Sequence, residues 1–215
     1  PTEKTMDNVR QFLDYAASNQ DAVVTYRASN MILAAHSDAS YLSETNARSR
    51  AGGHFFLSEN DEFPTNNGAI LTISQIIKAI MSSAAEAKLG ALFINSKEAI
   101  PQRQLLEEMD HPQPPTPIQI DNTTALGVVN NNVLKKLKAM DMRFHWLRCR
   151  TNQGQFRTHW QAGSTNLGDY VSKHHPTIHH KTISPVYLTS ATRLAELKRQ
   201  VTGIISKMIP TARVC

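Results

Sequence analysis

The chain has little cysteine and no long apolar run, and each shortage excludes something. Its two cysteines, Cys149 and Cys215, lie far apart with no Cys-x-x-Cys spacing. Neither a disulfide framework nor a cysteine-based zinc site is supported. No stretch approaches the ~18 uncharged apolar residues of a membrane helix, and the N-terminus carries no signal-peptide pattern. The expectation is an intracellular protein, in a cytoplasmic particle or the nucleus, without membrane contact. An initiating methionine is missing too, since Pro1 comes first, and the chain reads as a segment of something longer. Acids are outnumbered: 23 Lys and Arg stand against 18 Asp and Glu, a net charge of +5. That balance suits a polyanionic partner, although many proteins that bind no nucleic acid are as basic.

What is present is an ordinary globular composition, 40% apolar and 19% charged over 215 residues, enough for one domain with extensions. Met6, Val9, Phe12, Leu13 and Ala16 recur at helical spacing, so residues 5–17 read as an amphipathic helix. Residues 22–26 suggest a short strand. An apolar run, MILAAHSDASYLSE, then begins at Met31, and its strand character ends at His36, Ser37 and Asp38. Residues 52–57 and 69–77 supply two more strands, and the polar loops between them favour an antiparallel meander. Ser82 or Ser83 opens a helix reaching residue 99. HPQPPTP at 111–117 is a rigid connection. Residues 118–120 form a short buried strand, 122–130 a short helix, 133–150 the longest helix, 155–161 the last strand, and 163–173 a turn and helix.

Four acids stand at chosen places in that order. Asp38 closes the first strand, where rigid backbone presents a carboxylate to solvent as a divalent cation requires; an ordinary turn-starting aspartate is the alternative. Asp121 repeats the arrangement at the end of the fourth strand, or is merely the cap of the helix that follows. Glu86 lies on the helix after the meander and Asp169 on the final one. Lys135, Lys136, Lys138, Arg143 and Arg148 make a basic face on the 133–150 helix, suited either to phosphates or simply to water. Of the pairs His174 with His175 and His179 with His180, exposed or packing roles are expected, because no cysteine or carboxylate spacing accompanies them.

Six segments in this order, HSDASYLSE at 36–44, RSRAGGHFF at 48–56, Ser-Ser-x-x-Glu at 82–86, IDNTTA at 120–125, MDMRFHWLR at 140–148 and NLGDYVSK at 166–173, resemble the ribonuclease H domain of Ty1/copia-type retrotransposon polyproteins. The resemblance covers residues 5–175, and no Tyr-x-Asp-Asp polymerase motif is present. It implies an α/β ribonuclease H-like fold: a five-stranded mixed sheet, three antiparallel strands and then two parallel additions, flanked by helices. It divides the chain into a leading helix and linker from the polymerase connection at 1–28, the ribonuclease H-like domain at 29–175, and a tail at 176–215. It also implies an endonuclease cutting the RNA strand of RNA/DNA hybrids beside the reverse transcriptase polymerase domain of the same polyprotein. Asp38, Glu86, Asp121 and Asp169 would hold two Mg²⁺ ions, with Mn²⁺ able to substitute.

One position departs from the family pattern. There the helix opens Ser-Ser and then carries two Glu residues separated by one position, the second being the metal ligand. Here the pair is Glu86 and Lys88. Two helical positions differ by ~200° around the axis, so Glu86 is no simple substitute. An ammonium ~4 Å from a divalent ion would cost several kcal/mol. The expectation is a copy weakened or inactivated by Lys88. A non-cleaving structural or nucleic-acid-binding module of a reverse transcriptase is the alternative, and a DDE integrase or transposase core a more distant one.

Overall fold

A computed structural model describes residues 2–130, 142–196 and 199. In chain order its elements are α1 (Glu3–Ser18), β1 (Ala22–Val23), β2 (Ile32–Glu44), β3 (Arg48–Ser58), β4 (Ala69–Ile77), α2 (Ala84–Glu108), β5 (Thr116–Ile120), α3 (Thr123–Asn130), α4 (Met142–Asn152), β6 (Phe156–Trp160), α5 (Leu167–Ser172), α6 (Thr177–Tyr187) and β7 (Thr189–Ser190). They fall into two compact units, one of residues 26–179, the other of residues 1–25 with 180–215. In the second unit β1 pairs antiparallel with β7, Ala22 against Ser190 and Val23 against Thr189. Nothing in the tail's pattern announces that pairing.

The larger unit is built on a five-stranded sheet of order β4-β3-β2-β5-β6. The β2–β3 and β3–β4 pairs are antiparallel, while β5 lies parallel to β2 and β6 parallel to β5. Order and directions are those of the ribonuclease H-like fold implied by the resemblance. β2 is the central strand, and it is buried without interruption from Ile32 to Ser40. A strand covered on both faces has no solvent side and so shows no polar alternation. Leu33, Phe55, Leu92, Ile118, Ile120 and Leu147 are among the largest fully buried side chains.

The meander and the order of the later elements match the reading from sequence, and the Pro-rich connection read at 111–117 ends earlier, because Thr116 and Pro117 already belong to β5. Three further details differ. β2 does not end at Asp38: β3 keeps pairing with it through Ser40 and again at Glu44. What ends near Asp38 is the neighbouring strand, since β5 stops at Ile120. α2 does not end at residue 99 but continues through Pro101 to Glu108. A proline inside a helix costs ~3 kcal/mol, and burial outweighs it: Ala99, Arg103 and Leu106 are all covered. Arg103 also donates to the Pro114 and Gln113 carbonyls and to Thr116 Oγ1 at 2.5 to 2.8 Å, tying the helix end to the start of β5. Finally, α2, at 25 residues, is the longest helix among the described residues. The 133–150 helix lies partly outside them, and α4 is its described part, with Phe144 and Leu147 buried as expected.

Candidate active site

The parallel pairing of β2 and β5 brings the first two acids together. His36 is in register with Gln119, so Asp38 and Asp121 each stand two residues further along adjacent strands. Asp38 also faces Gly52 on β3. That glycine lets α5 close over the strand pair, because a Cβ there would run into the Gly168 carbonyl oxygen. Gly168 has the same role from the other side: its Cβ would lie 3.0 Å from Asp38 N and 3.1 Å from the His36 carbonyl oxygen.

Two polar residues fix the approach. Asn166 caps α5 by accepting from Gly168 N at 3.0 Å and donates to the Ser37 carbonyl at 2.9 Å. His36 Nδ1 accepts from Leu167 N at 3.1 Å. On the strand itself Ser37 turns towards α2, where Asn95 Nδ2 donates to its hydroxyl at 2.7 Å and to the Gly52 carbonyl at 2.9 Å. Asp38 turns the other way and accepts from Ser172 Oγ on α5 at 2.7 Å. Adjacent strand positions pointing to opposite faces produce this division.

Asp38, Asp121 and Asp169 thus converge, and lysines join them. Lys88 Nζ lies 3.1 Å from Asp38 Oδ1 and is bonded to Asp121 Oδ1. Lys173 Nζ lies 3.4 Å from Asp38 Oδ2 and is bonded to Asp169 Oδ1. Asp38 is the buried member, its side chain wholly covered, while those of Asp121 and Asp169 are 16% and 23% exposed. Burial alone would raise the Asp38 pKa. Lys88 first, then Lys173 and the Ser172 hydroxyl, outweigh it and hold the carboxyl below its usual range. Burial likewise works against the charge of Lys173, but Asp169 and Asp38 overcome it and hold the ammonium above its usual value.

Glu86 is the expected site residue that the structure does not bring to this cluster. Ser83 caps α2 by accepting from Glu86 N at 3.2 Å, and the Glu86 carboxylate accepts from Ser82 N at 2.7 Å. The Ser82 hydroxyl donates to the same Glu86 oxygen, so that atom is occupied at the helix start. Lys88, two residues on, is the side chain that reaches Asp38 and Asp121. Lys173 and Ser172 escaped the sequence reading as functional residues. The available signal was the four-residue spacing from Asp169 to Lys173, which places opposite charges on one helix face.

The fit of this donor set to divalent ions turns on Lys88. Asp38 Oδ1 is buried and has no aligned hydrogen bond, an acceptor position suited to a metal. The contact it has is the Lys88 ammonium. Three carboxylates against two ammonium groups leave one formal negative charge, too little to hold two divalent cations. With Lys88 where it stands, the residues present do not fit a pair of magnesium ions.

His36 ties pH to this architecture. Burial, reinforced by the nearby His54 and His159, pushes its pKa down to about 3. A histidine held neutral in the folded state and titrating near 6.5 when unfolded supports folding above pH ~6.5 and loses that support as pH falls towards about 3. Protonating Nδ1 would also break the bond from Leu167 N. Urea unfolding at pH 7 and pH 5 is expected to show a stability loss of ~1 to 2 kcal/mol from this group. His36→Asn, which keeps an acceptor, should flatten that slope.

Of the basic face, Lys135, Lys136 and Lys138 lie outside the described residues. Arg143 and Arg148 lie on α4, each partly exposed. Among the described residues, no helix is long and apolar enough to cross a membrane.

The chain is 23% identical over 174 residues to the retrovirus-related Pol polyprotein from transposon TNT 1-94 of Nicotiana tabacum. It is similar to a retrotransposon polyprotein. The aligned part is 80% of this chain and 13% of the tobacco polyprotein, so the chain spans a small fraction of that relative. No protein-family model matches. Among solved structures, LC11-RNase H1, isolated from compost by a metagenomic approach, superposes with a TM-score of 0.49 at 10% identity, over 66% of this chain and 92% of its own. The N-terminal RNase H domain of a Mycobacterium tuberculosis protein gives 0.43 at 13% identity, over 66% and 91%. The prototype foamy virus protease–reverse transcriptase gives 0.38 at 14% identity, over 78% of this chain and 21% of its own.

Proposed function

We propose that this chain is the ribonuclease H-like domain of a retrotransposon polyprotein, carried beside the reverse transcriptase of that polyprotein. It takes RNA/DNA hybrids across the face where Asp121 and Asp169 reach solvent beside the buried Asp38, and Lys88 leaves it weak or inactive as a nuclease. The observation that carries this reading is the Lys88 ammonium lying 3.1 Å from Asp38 Oδ1 and bonded also to Asp121. A fixed cation in that position neutralises the carboxylates that would otherwise gather divalent metal, and it holds them converged without any ion. Asp38, Asp121 and Asp169 are the acids of the cluster, and Glu86 serves the helix start.

Hybrid binding in this reading is electrostatic, with Arg143 and Arg148 contributing to phosphate contacts along with the lysines of the 133–150 segment. A hybrid is distinguished from DNA duplex by its 2′-hydroxyls and groove shape. Two measurements test the proposal together. Labelled RNA/DNA hybrid is expected to bind with an affinity that falls linearly with salt on a log–log scale, while Mg²⁺ or Mn²⁺ produces little cleavage, and Asp38→Asn removes whatever cleavage there is. Efficient Mg²⁺-dependent cutting by the unaltered chain would overturn the inactive reading. Absence of hybrid binding at low salt would overturn the module altogether.

A further inference from the structure

Asp169 divides its carboxylate between two neighbourhoods. Oδ1 takes the Lys173 ammonium, while Oδ2 lies 3.8 Å from His175 Nε2. On that second side His179 stacks on His175 with ring centroids 4.3 Å apart and planes 24° from parallel. Tyr170 stacks on His175 too, at 5.6 Å and 9°. One ligand atom from each of Asp169, His175 and His179 lies within 4.8 Å of the others, and all three residues are partly buried. The reading from sequence paired neighbours along the chain and found no accompanying carboxylate. The fold instead pairs His175 with His179 and brings a carboxylate to them from α5.

We propose that Asp169, His175 and His179 bind one divalent ion of the zinc class, at a site separate from the one that Lys88 occupies between Asp38 and Asp121. Two imidazole nitrogens and one carboxylate oxygen are donors that favour Zn²⁺, Co²⁺ or Ni²⁺ over Mg²⁺. Bonds of ~2.0 to 2.1 Å place tetrahedral ligand atoms ~3.3 Å apart. Closing the present separation requires the His179 ring to leave its stack on His175 for another staggered position. Lys173 engages the other carboxylate oxygen and leaves Oδ2 to the ion; its charge lowers the affinity, so the two imidazole nitrogens carry most of the binding. The Tyr170 ring stacked on His175 orients the imidazole, and an ion bound at Nε2 would take the place of that nitrogen's present contact with the Asp169 carbonyl, 3.2 Å away. Three protein ligands leave a fourth position for water. The ion would cross-link α5 to residues 175–179.

The test uses the full chain without a polyhistidine tag, titrated with Co²⁺ in excess Mg²⁺ and followed by visible absorption. The expected result is one equivalent bound with the bands of nitrogen-coordinated Co²⁺, displaced by Zn²⁺. His179→Gln is expected to weaken binding at least tenfold, whereas His174→Gln and Asp121→Asn leave it unchanged. Because a substitution can disturb folding, the unaltered protein gives a second readout: two hyperfine-shifted imidazole N–H resonances in the Co²⁺ form. Absence of the nitrogen bands, fewer than two shifted imidazoles, or a folded His179→Gln that binds as tightly as the original would overturn the site. None of these readouts depends on hybrid binding or cleavage.

Discussion

Lys88→Glu is expected to raise Mg²⁺-dependent cleavage of the RNA strand of a hybrid by about a hundredfold or more. The substitution removes the ammonium between Asp38 and Asp121 and supplies a fourth carboxylate in its place. The cluster then changes from three carboxylates against two ammonium groups to four against one, a formal charge of minus three. Two unit charges ~4 Å apart interact by ~4 kcal/mol at an effective dielectric of 20, and doubly so against a divalent ion. Each ~1.4 kcal/mol recovered in the transition state is tenfold in rate, so even partial relief is measurable. The same change has a signature that needs no substrate. In chelator the variant should melt below the original protein, because like charges are left unneutralised. Mg²⁺ should restore its melting temperature while leaving that of the unaltered chain almost unmoved. A variant that neither cuts hybrid nor responds to Mg²⁺ would show that something other than Lys88 suppresses the site.

Lys88→Met tests the other half of the argument, that the lysine supports the fold. The Asp38 side chain is wholly buried, and burial by itself opposes its charge. Removing one partner of a buried ion pair costs ~3 kcal/mol or more, because the other charge is left without compensation. Urea unfolding at pH 7 should show a loss of that order. Adding Asp38→Asn should recover much of it, since the amide can still accept from Ser172 and carries no charge to strand. The pH dependence follows in sign. In the unaltered chain the Asp38 pKa is held below its ordinary 3.8, so its contribution is present above about pH 4 and disappears as pH falls further. In Lys88→Met the balance tips towards the protonated carboxyl, and the stability difference from the unaltered protein should narrow as the medium is acidified. A Lys88→Met protein as stable as the original at pH 7 would mean that Lys173 and Ser172 suffice for Asp38.

Asp38 and Asp121 were readable as acids closing apolar segments of the kind that become central strands, and Asp169 as an acid on the final helix; what grouped the three into one set was the resemblance to ribonuclease H domains, not a local rule. Lys88 was readable as a departure only against the family's pattern of two Glu residues, and the two-residue offset from Glu86 said that Glu86 could not take its place. The partners of Lys88 were not readable. Whether a lysine near an acidic site points to solvent or into the cluster depends on how α2 packs on β2, where Asn95 bonds to Ser37 and Gly52. The passage of α2 through Pro101 was invisible for a similar reason. Local propensity ends a helix there, and only the buried Arg103 with its contacts to the chain before β5 keeps it going.

The succession of elements along the chain, the antiparallel start and the place of the acids were determined by the amino-acid sequence alone, because they follow from apolar periodicity, turn residues and capping groups that act within a few positions; the parallel additions to the sheet were implied only by the family resemblance. Tertiary structure decided the chemistry of the cluster: Lys88 rather than Glu86 at Asp38 and Asp121, Lys173 bridging Asp38 and Asp169, and His175 stacked on His179. Those contacts join residues tens of positions apart, and their energies depend on burial and on the mutual placement of charges. Neither exists until the sheet has closed against its helices.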